Sequence, residues 1–113
     1  MTTSIEFKRG DTAPALSATL YADDAGATPL DLTGATVKLI MATTASEPGN
    51  PKVNAACQLV DAAAGQVSYS WLPTDVDTAA KYQAEFEVTW ADGTIQTFPR
   101  DGYLTITLLE DLD

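Results

Sequence analysis

Between Lys81 and Ile95 the chain alternates apolar and polar residues and then closes on Asp92-Gly93, a pattern that few backbones other than a β-hairpin satisfy. Tyr82, Ala84, Phe86, Val88 and Trp90 fall on one face at a period of two, and Lys81, Gln83, Glu85, Glu87 and Thr89 fall on the other. The first face is expected to build a core and the second to meet water. Asp92-Gly93 offers the positive φ angles of a two-residue primed turn, so the strand is expected to return directly through Thr94 to Phe98. Chains assembled from such units present edges and surfaces more readily than catalytic clefts.

The same alternation recurs along the chain. Ser4 to Arg9 places Ile5 and Phe7 on one face, Ala15 to Tyr21 does so with Leu16, Ala18 and Leu20, and Thr36 to Met41 with Val37, Leu39 and Met41. Val53, Ala55, Cys57 and Leu59 repeat at period two, Asp61 to Gly65 turns the chain, and Val67, Tyr69 and Trp71 resume, which predicts a second hairpin. Residues 43–51 are too rich in turn formers for regular structure and are expected to form the most mobile internal loop. Pro73 to Ala80, with Thr74 or Asp75 as a possible cap, predicts no more than one helical turn, crossing between sheets. Pro99 to Gly102 interrupts the return strand before Leu104, Ile106 and Leu108 continue in phase, so a strand with a bulge or break is expected. The reading is an all-β chain, an immunoglobulin-like Greek-key β-sandwich of about seven strands.

Composition bounds the rest. At 113 residues the chain suits one domain, residues 1–113, that needs neither metal nor disulfide to hold it. It is 45% apolar and 19% charged, and no apolar run approaches the roughly 20 residues of a membrane helix, so a soluble protein with no membrane insertion is expected. Met1-Thr2-Thr3-Ser4 carries no basic or apolar leader, and synthesis in the cytoplasm follows. Cys57 is the only cysteine, and histidine is absent, which removes the usual general base, the commonest zinc nitrogen ligand and any imidazole triad. The formal charge of −10 would repel phosphate backbones, so nucleic acid is a poor partner.

Several groups of residues have a functional reading beside a structural one. Asp77-Thr78-Ala79-Ala80-Lys81-Tyr82 is similar to the tyrosine-corner signature, one residue longer than usual, and makes Tyr82 a structural residue. Asp61, Asp75 and Asp77, or Asp23 and Asp24, could offer oxygen ligands to calcium, but their spacing matches no ordered calcium loop, and no metal or cofactor is assigned. Trp71 and Trp90 lie in phase with apolar faces and are expected in the core rather than stacked on sugar. Phe98, Arg100, Asp101 and Tyr103 combine aromatics with arginine and an acid in an irregular segment, a composition favoured at protein interfaces, and are the candidate partner-binding residues. No nucleophile and base can be paired, so an enzyme is not expected.

Five segments run in order along nearly the whole chain: Lys8 to Pro14, Leu30 to Val37, Gly65 to Tyr69, Tyr82 to Val88 and Phe98 to Leu104. Together, and above all through Leu-Thr-Gly-Ala-Thr-Val and Phe-Pro-Arg-Asp-Gly-Tyr, they resemble the immunoglobulin-like N-terminal domain of the phage baseplate upper protein family. The resemblance implies a virion structural protein of a tailed bacteriophage or prophage. Such a protein would work by contacts with other virion proteins and with itself, most simply at the tail baseplate. Longer members of the family dock through this domain and carry receptor-binding parts behind it, whereas this sequence stops at Asp113. That departure leaves capsid decoration or a head–tail connection as alternatives, and a carbohydrate-binding module for host attachment as a competing reading.

Overall fold

The alternating tract folds into the longest strand of the structure, and its neighbours follow from its register. The computed structural model describes residues 4–22, 27–43, 51–99, 104–110 and 112. In chain order the strands are β1 (Ser4–Lys8), β2 (Leu16–Thr19), β3 (Thr36–Thr43), β4 (Val53–Ala56), β5 (Gln58–Asp61), β6 (Gln66–Tyr69), β7 (Ala80–Thr89), β8 (Ile95–Phe98) and β9 (Leu104–Leu109), with one short 3-10 turn at Pro73–Asp75. The larger sheet runs β1-β9-β7-β3-β4, with β8 also on β7, and the smaller runs β2-β6-β5. The candidate metal-loop residues Asp23 and Asp24 and most of the expected 43–51 loop lie outside the described residues.

Period-two chemistry explains the core. Tyr82, Ala84, Phe86 and Val88 on β7 are all buried, and β3 sets Met41, Leu39 and Val37 directly opposite Ala84, Phe86 and Val88. The smaller sheet contributes Leu16, Val67 and Tyr69, with Leu16 paired to Tyr69 and Leu20 just beyond the end of β2. These side chains form one apolar cluster between the two sheets, the arrangement of a β-sandwich.

Seven expected runs become nine strands because two of them are divided. The run from Val53 to Leu59 pairs first with β3, Met41 against Val53 and Leu39 against Ala55. Cys57 N still donates to the Val37 carbonyl at 2.8 Å, but β3 begins at Thr36 and the ladder runs out there. The chain therefore passes to the other sheet, where Gln58 meets Ser68 and Leu59 meets Val67. The first arm of the expected second hairpin is thus shared between the sheets, β4 in the larger and β5 in the smaller, while its second arm, β6, lies in the smaller. The last run is divided at residues 99–103, and both of its parts lie along the same side of β7.

The turn at Asp92-Gly93 differs from the two-residue form expected. No non-glycine residue among those described has a positive φ, so Asp92 cannot adopt the primed turn, whereas Gly93 lies at φ 89°. Gly93 N donates to the Trp90 carbonyl at 2.9 Å and Trp90 N to the Thr94 carbonyl at 2.8 Å, which makes Ala91-Asp92-Gly93 a three-residue loop. Asp92 Oδ1 accepts from Thr94 N and Oγ1 at 3.0 and 2.6 Å and closes the loop from outside.

A second turn, Asp61 to Gly65, is fixed from within the molecule. Leu20 N donates to the Gly65 carbonyl at 2.8 Å, Leu30 N to the Leu20 carbonyl at 2.9 Å and Leu32 N to the Ala62 carbonyl at 2.8 Å. The backbone after β2 and the backbone before β3 therefore cross at Gly65.

Candidate interaction surface

β8 and β9 both pair with β7 and are separated along the chain by residues 99–103. Phe98 pairs with Phe86 and Leu104 with Ala84, so the ladders of β8 and β9 on β7 end on either side of a single β7 residue, Glu85. Phe98 is 5% exposed, because its register with Phe86 turns its ring to the core rather than to a partner. Arg100, Asp101 and Tyr103 lie outside the described residues.

The remaining candidate residues are bound into the sandwich. Trp71 is buried and packs against Phe7, ring centroids 5.4 Å apart, and edge-on against Tyr69 at 5.3 Å. Trp90 is half-buried and donates through Nε1 to Gln96 Oε1 at 2.8 Å. Tyr82 Oη donates to the Thr78 carbonyl at 2.7 Å, the backward bond of a tyrosine corner. Tyr82→Phe is expected to lower stability by about 0.5–1.5 kcal/mol, read from the denaturation midpoint, because the bond to the Thr78 carbonyl is lost without a cavity forming; a change under about 0.3 kcal/mol would show that the bond is idle.

Three of the carboxylates considered as calcium ligands, those of Asp61, Asp75 and Asp77, accept hydrogen bonds within the fold. Asp75, the one buried charged residue among those described, accepts from Tyr69 Oη at 2.6 Å and from Leu72 N at 2.8 Å, both through Oδ2. Burial, with Asp75 adding to it, raises the Tyr69 hydroxyl well above its ordinary value, so it stays a donor at neutral pH. Asp77 pairs with Lys52 Nζ and Thr78 Oγ1, and the lysine, followed by the threonine, holds its carboxyl below the usual range. Asp61 Oδ1 accepts from Ala64 N at 3.3 Å, inside its own turn. No group of three potential metal ligands occurs among the described residues. Burial pushes the Cys57 thiol up to about 11, which disfavours the reactive thiolate.

The carboxylates of Asp61, Asp75, Asp77 and Asp92 thus serve the turns and packing of the sandwich. The BppU N-terminal domain, the N-terminal domain of baseplate upper protein, matches residues 1–98. The chain belongs to that family. BppU N-terminal domains are structural parts of the phage baseplate and not enzymes, which carries with it association with other virion proteins and a place in the virion. No curated protein sequence matches the chain. The BppU match ends at Phe98, the last residue of β8, while the sheet continues through β9, which lies between β1 and β7.

The sequence offers Asp75 only as a cap or calcium ligand and leaves the exposed pair Leu59 and Val60 unmarked. Asp75 has no periodic signature, and only its proximity to Tyr69 in the fold reveals its role. The exposed pair Leu59 and Val60 could have been noticed, since Val60 breaks the alternation of its run.

Proposed function

We propose that this protein is a non-catalytic structural component of a tailed bacteriophage or prophage particle, made in the host cytoplasm and fixed at the tail baseplate by contacts with other virion proteins and with itself. The match to the BppU N-terminal domain over residues 1–98 carries this reading. The β8–β9 break supports it, because it sets a segment containing Arg100, Asp101 and Tyr103 between two anchored residues, Phe98 and Leu104. In this reading Phe98 fixes the root of the segment and the other three meet the partner. Arginine and tyrosine suit that role, since each offers a large, partly apolar contact area together with directed hydrogen bonds.

Arg100→Glu combined with Tyr103→Ala is expected to reduce incorporation into purified particles by about tenfold or more, the scale of losing interface anchors, with the melting temperature unchanged. Undiminished incorporation, quantified by immunoblot, would remove the contact assignment. Immunogold labelling of intact particles tests the location: label at the tail tip supports the baseplate, and label over the head overturns it in favour of decoration.

A further inference from the structure

We draw no further inference here: the strongest candidate, the outer face of the smaller sheet, where Ser17, Ser68 and Gln58 form one row and Thr19, Gln66 and Asp61 the next with Asp61 the single charge, carries nothing because nothing in the structure shows what covers it.

Discussion

Gly65→Ala should destabilise the protein by about 3–5 kcal/mol, measured from the chemical denaturation midpoint. Gly65 lies at φ 70°, where an L-residue carries roughly 1–2 kcal/mol of strain. A Cβ there would also stand 2.5 Å from the Leu20 carbonyl oxygen and 2.8 Å from that of Leu30, with Leu30 N at 3.1 Å. These are backbone atoms, and they cannot rotate aside as a flexible side chain would. Leu20 N bonds to the Gly65 carbonyl and Leu30 N to the Leu20 carbonyl, so any displacement that admits the methyl group loosens this crossing, at about 1–3 kcal/mol for each buried partner left unsatisfied. Gly34 and Gly93 provide the control. Both have positive φ, at 81° and 89°, yet an added Cβ would meet nothing within 4 Å at either site. Alanine at these positions should cost only the strain, about 1–2 kcal/mol. If Gly65→Ala costs no more than they do, the backbone crossing is not what holds the turn.

The parts of this fold that were legible are those in which one local pattern admits one solution. β7 and β3 alternate without a break, and their pairing brings Val88, Phe86 and Ala84 onto Val37, Leu39 and Met41, so the central core follows from period two alone. The same rule could not reveal the change of sheet at Cys57. Alternation continues smoothly from Val53 to Leu59, and a period of two says which face a residue takes but not which sheet supplies the neighbour. Asp92-Gly93 suits loops of two or three residues, and the choice was made by the pairing of Thr89 with Ile95, a property of the ladder and not of the turn. Of the candidate contact residues, Phe98 shows the limit most directly. Its composition suits an interface, but its register opposite Phe86 directs it inward. Family membership was legible because it depends on ordered segments and not on any one side chain's direction.

A chain cut after Phe98, where the BppU match ends, should fail to fold, whereas residues 1–110 should fold as the full chain does. β9 is an interior strand: it pairs antiparallel with β7 from Ala80 to Ala84 and parallel with β1 from Ser4 to Lys8. Its removal withdraws Leu104, Ile106 and Leu108 from the core, all three buried. At about 1.5–3 kcal/mol for each buried aliphatic side chain, that loss alone is about 5–9 kcal/mol, comparable with the whole stability of a typical domain. β1 would follow, because β9 is its neighbour in the sheet, and with β1 would go the contact of Phe7 on Trp71. Circular dichroism and thermal melting of the two fragments decide the matter, and a cooperative melt of residues 1–98 near that of the full chain would show that β9 is dispensable. The mismatch between family boundary and folding boundary has a physical origin. Residues 99–103 separate β9 from β8 in sequence while both strands pair with β7, and alternating apolar residues at 104, 106 and 108 are a demand that many different sequences meet. Sequence similarity can therefore fade at Phe98 while the sheet still requires the strand beyond it.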